Sequence, residues 1–284
     1  MNSFKLGAAP SLEQLESVAR GALRAEFPRA SRARVAAARK TLLAAAAARP
    51  VYGVNTGFGD LASQRIPEAR QRLLQRNLVL SHACGVGPLL TEEESRAVLF
   101  LRTQELGRGH SGVRPELVEA MVRVLNSGAT PVIPSRGSVG ASGDLAPHAH
   151  MALLILGEGK ARVGGRTVSA RAALRRARVK PAQLEIKEGI GLINGTQAMQ
   201  SVGGLALLAA GRVWRAAQLA GAMSLEAMTG TPEPFEDAIH RLKPHPGQLE
   251  AARGLRRLMR ASEIRESHRL DDPRVQDPYS LRCM

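Results

Sequence analysis

Apolar residues recur at helical spacing through most of the chain. Leu12, Leu15, Val18 and Leu23 form a stripe that follows Ser11 and Gln14, a serine and a glutamine set three apart as in a capping box. The same periodicity predicts helices over about 30–47, 67–83, 91–106 and 115–125, the last with Pro115 in its first turn. A helix is expected over 145–156, capped by Asp144. From Lys187 to Met228 the pattern reads as one very long apolar helix or two in line, and another amphipathic helix is expected over about 246–262.

Two stretches interrupt this rhythm. Val51 to Leu61 is glycine-rich and reads as a loop, with Gly53, Gly57 and Gly59 permitting unusual backbone angles. Asn126 to Gly143 is long and irregular, with prolines at 131 and 134 and glycines at 128, 137, 140 and 143; ordered loops of this length are usually functional. Val163-Gly164-Gly165-Arg166 reads as a surface hairpin, within a cation-rich run from Lys160 to Lys180 that is expected to be a solvated face. The fold class is therefore mainly α, with long packed helices carrying functional loops at their ends.

Composition narrows the function. The 284 residues are 44% hydrophobic, enough for a real core. The formal charge of +15 would point to nucleic acid or an anionic membrane. However, 40 cations less six lysines leaves 34 arginines, spread along the chain and accompanied by alanine runs such as Ala44 to Ala48, which is a compositional bias and no concentrated basic patch. Aromatics are 3%, too few for base-stacking platforms, so no specific nucleic-acid partner is expected. Cys84 and Cys283 have no metal or disulfide spacing, which fits a cytoplasmic location, and Met1 to Pro10 lacks the apolar stretch of a leader. Gly191 to Gly211 is uncharged, but Asn194, Thr196, Gln197, Gln200 and five glycines make it a buried helix rather than a membrane span.

Several motifs are weak. Gly57-Phe58-Gly59-Asp60-Leu61-Ala62 fits a dinucleotide fingerprint, yet no carboxylate follows about twenty residues on and no alternation of strands and helices surrounds it. Gly140-Ala141-Ser142-Gly143 is one residue short of a nucleophile elbow. His148 and His150 point to different helix faces, and no metal site is expected. His82 alone would be an ordinary core or surface histidine.

Ala141-Ser142-Gly143 is the informative tripeptide. The amide nitrogen of Gly143, unhindered by a Cβ, can attack the carbonyl carbon of Ala141 and close a five-membered ring. Loss of two waters, one of them from the Ser142 hydroxyl, leaves an exocyclic methylidene on an imidazolone, an electrophile made from backbone alone.

Gly137-Ser138-Val139-Gly140-Ala141-Ser142-Gly143-Asp144-Leu145-Ala146-Pro147 resembles the signature of the aromatic amino acid ammonia-lyases, whose prosthetic group is this 4-methylidene-imidazol-5-one (MIO). Tyr52-Gly53-Val54-Asn55-Thr56-Gly57-Phe58-Gly59, Asn77-Leu78-Val79-Leu80-Ser81-His82, Gly191-Leu192-Ile193-Asn194-Gly195-Thr196 and Gln276-Asp277-Pro278-Tyr279-Ser280-Leu281-Arg282-Cys283 match further blocks of that family in the same order. The resemblance implies a long-helix bundle of the fumarase and aspartase type, with an MIO-bearing domain over 1–187 and the start of the central helical bundle over 188–284.

At the selectivity position the chain reads Ser81-His82, similar to the members that act on histidine; tyrosine-acting members tend to show His-Leu and phenylalanine-acting ones Phe-Leu. His245-Pro246-Gly247-Gln248 is also similar to the histidine enzymes. The implied reaction is the first step of histidine degradation, L-histidine to trans-urocanate and ammonia, with tyrosine or phenylalanine as the alternative substrate. By motif match, Tyr52 is the base, Asn194 and Tyr279 lie by the MIO, His82 meets the substrate imidazole, and Gln276 and Arg282 serve substrate binding. An arginine fork suits a carboxylate.

Relatives of this kind run nearly twice this length and assemble as homotetramers, so a C-terminal half as a separate chain is one possible partner. A non-catalytic helical remnant is the competing expectation. Separately, the long helix around Met199 to Met223 is expected to lack part of its packing partners and to present apolar surface.

Overall fold

A computed structural model describes residues 3–140 and 142–284. Its chain divides into two compact units, Met1–Ala206 and Leu207–Met284.

The first unit is built on α1 (Leu12–Ala19), α2 (Arg29–Ala48), α3 (Glu68–His82), α4 (Glu92–Gly107), α5 (Pro115–Asn126), α6 (Leu145–Leu156), α7 (Ala170–Arg176) and α8 (Glu188–Ile193), and it includes the first turns of α9 (Gln197–Ala227). The capping box at Ser11 is present, with the Gln14 amide donating to the serine hydroxyl at 3.2 Å and the Gln14 side chain accepting from the Ser11 amide at 3.0 Å. Thr91 and Glu94 form a second such box at the start of α4.

α4 is the central helix. It is buried nearly all round, from Ala97 and Val98 to Leu106, and packs against α1, α5 and α6. Its burial explains why it shows little amphipathic bias: beyond the first turn every position is buried or half-buried. Phe100 meets Phe4 edge-on at 5.2 Å between ring centroids, joining the N-terminal segment to this core.

Short strands decorate the helices. β1 (Ser3–Lys5) pairs in parallel with β2 (Arg24–Glu26). β3 (Val86–Leu89) runs antiparallel to β5 (Pro134–Arg136), which ties the segment after α3 to the long irregular loop. The predicted hairpin forms from β6 (Lys160–Val163) and β7 (Arg166–Ser169), with Val163 opposite Arg166, and β4 (Thr130–Pro131) adds a third strand on β6. Arg166, Arg171, Arg175 and Arg176 in this region face solvent.

Two expectations are corrected. Residues 191–211 do not form one buried helix: α8 ends at Ile193, the chain turns at Asn194–Thr196, and α9 begins at Gln197. Beyond its buried start, α9 exposes Met199 (63%), Leu207 and Val213 (69%). Asp144 sits at the N-cap position of α6 but makes no side-chain cap there, because its carboxylate is committed elsewhere.

The second unit holds the rest of α9 with α10 (Asp237–Arg241), α11 (Pro246–Leu258), α12 (Glu263–Glu266) and α13 (Tyr279–Arg282). Its small core comprises Ala222, Leu225, Phe235, Ala252, Leu255, Met259 and Leu281. Among the described residues no helix is long and apolar enough to cross a membrane.

Candidate active site

The loop before α6 is shaped by glycines. Gly137 and Gly140 adopt positive φ angles of 142° and 65°, which an L side chain disfavours. Ala141 lies outside the described residues. Ser142 is exposed and Gly143 is buried. A Cβ at Gly143 would stand 2.5 Å from Asn194 Oδ1 and 2.8 Å from the Gly195 amide nitrogen, so only glycine fits against that turn. A backbone nitrogen without a Cβ and an exposed serine beside it are what ring closure over residues 141–143 requires, so the residues present fit the MIO group.

The α8–α9 turn that receives Gly143 is braced from several sides. The Asp144 amide donates to Gly195 O at 2.7 Å. The Asp144 carboxylate accepts from the Ser138 hydroxyl at 2.7 Å and from the Met199 amide at 2.8 Å, thereby capping α9 from another element. Beneath the turn lies Arg102 of α4, almost wholly buried. Its Nε and Nη2 donate to Gly191 O and its Nη1 donates to Gln197 Oε1 at 3.0 Å. Among the described residues no carboxylate is within ion-pair distance of it, and burial pulls its pKa down to about 10, partly offset by Glu105.

His148 of α6 is fully buried, with Nδ1 3.1 Å from Ile193 O. A carbonyl only accepts, so Nδ1 carries the proton. Burial first, and then the Arg102 charge, hold its pKa down at about 4.

At its other end α8 is anchored by the buried Glu188, which takes Arg114 as a fork: Nε to Oε1 and Nη2 to Oε2, both at 2.8 Å. These hydrogen bonds raise the Arg114 pKa. Arg39 adds a bond to Ile186 O at 2.7 Å.

Tyr52 opens the glycine-rich loop and is 56% exposed. Its hydroxyl accepts from the Gly59 amide at 3.3 Å and its ring meets Phe58 edge-on at 5.8 Å. Gly53 next to it has φ of 66°, and a Cβ there would strike the Phe58 ring. The loop is held from within by the buried Asn55, which accepts from the Val51 amide at 2.7 Å and donates to Ala46 O at 2.7 Å and Arg49 O at 3.0 Å.

His82 is the last residue of α3. Its Nδ1 lies 2.8 Å from Leu78 O, which again assigns the proton to Nδ1 and leaves Nε2 as a hydrogen-bond acceptor. The chain just beyond it is tied to the loop before α6 and to α6 itself. The Gly85 amide donates to His150 Nε2 at 3.0 Å, and a Cβ on Gly137 would stand 3.0 Å from Gly85 Cα. Burial lowers the His150 pKa.

The first unit thus brings the segments of Tyr52, His82, Ser142-Gly143 and Asn194 into one connected framework. Gln276, Tyr279 and Arg282 belong to the second unit. Tyr279 and Arg282 sit one turn apart on α13, with the guanidinium carbon 5.8 Å from the Tyr279 ring centroid. The buried Asp277 fixes the segment before them by accepting from the Thr231 amide at 2.6 Å. Sequence reasoning missed Gln75, Arg102 and the capping of α9 by Asp144; the partners lie far away in the chain, and no local spacing signals them.

A mainly helical unit carrying a glycine-shaped Ser-Gly loop against an Asn-Gly turn defines the class, and the model of the aromatic amino acid lyase family matches residues 11–284: the chain belongs to that family. It is 50% identical over 283 residues to histidine ammonia-lyase from Sorangium cellulosum, which covers 98% of this chain and 55% of that protein. It is 49% identical to histidine ammonia-lyase from Myxococcus xanthus over 98% of this chain and 55% of that one. Among solved structures it resembles phenylalanine aminomutase from Pantoea agglomerans (TM-score 0.90, 33% identity, 100% of this chain and 58% of that one) and histidine ammonia-lyase from Trypanosoma cruzi (TM-score 0.86, 36% identity, 100% and 53%). The chain spans about half the length of the curated relatives it matches.

Proposed function

We propose that this chain supplies the electrophile-bearing part of a histidine ammonia-lyase, which converts L-histidine to trans-urocanate and ammonia. The observation that carries the reading is the close approach of Gly143 to the Asn194–Gly195 turn, with Ser142 exposed beside it. The MIO group formed from Ala141, Ser142 and Gly143 would supply the electrophile that turns the substrate amino group into a better leaving group. Every other task falls to side chains.

Tyr52, having first given up its own phenolic proton, takes the β-proton at its phenolate oxygen; its exposure gives a substrate access and the Gly59 amide orients it. Asn194 presents its amide beside Gly143, where it would flank the MIO group. His82 offers Nε2 to the N–H of the substrate imidazole, a contact that a phenyl ring could not make. Arg282 holds the substrate carboxylate in its fork, with Gln276 and Tyr279 on the same segment. The working assembly is a homotetramer in the cytoplasm, and a C-terminal half supplied as a separate chain is a candidate partner.

The test is the intact mass of the purified chain, expected to be short by about 36 Da, two waters, in the peptide holding residues 141–143. Urocanate formation, alone or with a C-terminal half, should vanish in Ser142→Ala and fall strongly in Tyr52→Phe, and histidine should be preferred over tyrosine and phenylalanine. An unmodified mass together with no turnover would overturn the proposal.

A further inference from the structure

Gln75 belongs to no motif, yet from the helix that carries His82 it touches two other site-bearing segments at once. It lies within α3 seven residues before His82, about two helical turns, so both side chains leave the same face. Its side chain is fully buried, and each of its amide atoms therefore requires a partner. Nε2 donates to Gly53 O, the carbonyl one residue beyond Tyr52, at 3.2 Å. Oε1 accepts from the amides of Gly189 at 2.9 Å and Ile190 at 3.2 Å. The orientation of the amide is forced, because a carbonyl only accepts and a backbone amide only donates.

The two amides are those of the first turn of α8, which a helix leaves without internal partners. Gly189 is glycine for the same reason: a Cβ there would clash with the backbone carbonyl of Gln75. The other polar group of Gly53, its amide, is held by the Thr56 hydroxyl at 3.2 Å. The peptide beside Tyr52 is thus pinned from both sides, once from inside the loop and once from α3.

We propose that Gln75 is a positioning residue that sets the Tyr52 loop against α8, and with it the distance between the phenol and Asn194 at the far end of that helix. The meaning of that distance rests on the function proposed above; the coupling itself does not. Only a primary amide provides a donor and an acceptor in this space. Gln75→Glu keeps the acceptor for α8 and places a carboxylate oxygen opposite Gly53 O. Gln75→Met, of similar length, removes both.

The experiment is hydrogen exchange by mass spectrometry on the full chain and the two variants, each checked as folded by circular dichroism, with the intact mass of each recorded. Exchange in peptides covering 51–57 should rise about tenfold in both variants, the effect of one lost buried hydrogen bond. Exchange over 187–195 should rise only in Gln75→Met, and the two-water mass loss should survive in Gln75→Glu but drop in Gln75→Met. Wild-type exchange in both segments of Gln75→Met, or an equal rise along the whole chain in both variants, would overturn the coupling. A wild-type chain with neither the mass loss nor turnover would instead sink the proposed function and leave the exchange result to decide Gln75.

Discussion

Asp144 Oδ2 accepts the Met199 amide at 2.8 Å, so a carboxylate from the start of α6 caps α9 across 55 positions of sequence. The same side chain takes the Ser138 hydroxyl, and its backbone amide donates to Gly195 O. One residue therefore locks the loop before α6 to the turn that faces it. Asp144→Ala should lower stability by about 1–2 kcal/mol, as for loss of a good helix cap, and should reduce the fraction of chain that loses two waters. Urea unfolding and intact mass measure the two effects. Asp144→Asn, which retains an acceptor, should keep most of the stability.

Gly143→Ala tests the approach to Asn194. The added methyl would meet Asn194 Oδ1 at 2.5 Å, and overpacking of this kind costs about 1–3 kcal/mol. Thermal unfolding should show the loss, and the mass should be unmodified. Ser142→Ala should also be unmodified in mass but unchanged in melting temperature, since the serine side chain is exposed. Equal stability of the two variants would refute the tight fit.

The buried imidazole of His148 makes stability depend on pH. Its folded pKa of about 4 lies below the unfolded value of 6.5, so between those values the unfolded chain binds the extra proton. Stability is intact above about 6.5 and falls as the pH drops toward about 4, by on the order of 3 kcal/mol over the window. His150, shifted in the same direction, steepens the fall. Urea titrations at pH 7, 5.5 and 4.5 should show it, and His148→Asn should flatten the curve.

Arg102 is a buried cation whose hydrogen bonds all go to neutral acceptors. Arg102→Met removes the burden of burying the charge but leaves Gly191 O unpaired, and a net destabilisation of about 1–3 kcal/mol is expected. The more specific consequence is electrostatic. Burial is the first cause of the low His148 pKa and the Arg102 charge the second, so the variant should raise that pKa, read from the imidazole resonances by NMR. An unmoved His148 titration would contradict the coupling.

The exposed apolar side chains of α9, among them Met199, Leu207, Val213, Trp214, Leu219 and Met223, predict self-association. Sedimentation of the purified chain should show oligomers or aggregates at micromolar concentration, and Leu207→Glu with Val213→Glu should shift it toward monomer. A soluble wild-type monomer would contradict the expectation.

Much of this was legible in the chain of letters. Periodicity placed the helices from α1 to α6 to within a few residues, because each carries apolar side chains at a spacing that only a helix gathers onto one side or into the core. The Ser11 box was equally local, and the hairpin at Val163–Arg166 followed from its two glycines. The proposed Ala141-Ser142-Gly143 chemistry is local in the same sense, since ring closure would involve only neighbouring backbone atoms.

What the letters could not decide were partners distant in sequence. A lone Asp before a helix looks like that helix's cap, and only the packed chain shows its carboxylate turned to α9. The uncharged run from Gly191 to Gly211 carries no periodic signal for a break, yet Arg102 and Gly143 both meet the chain at Asn194–Gly195, where two helices must part to admit them. Gln75 resembles any glutamine of an amphipathic helix until its amide is seen between Gly53 and Gly189. Hydrogen bonding of buried polar groups is satisfied only in three dimensions, so local sequence determined which elements form, and tertiary packing determined which of their polar atoms face one another.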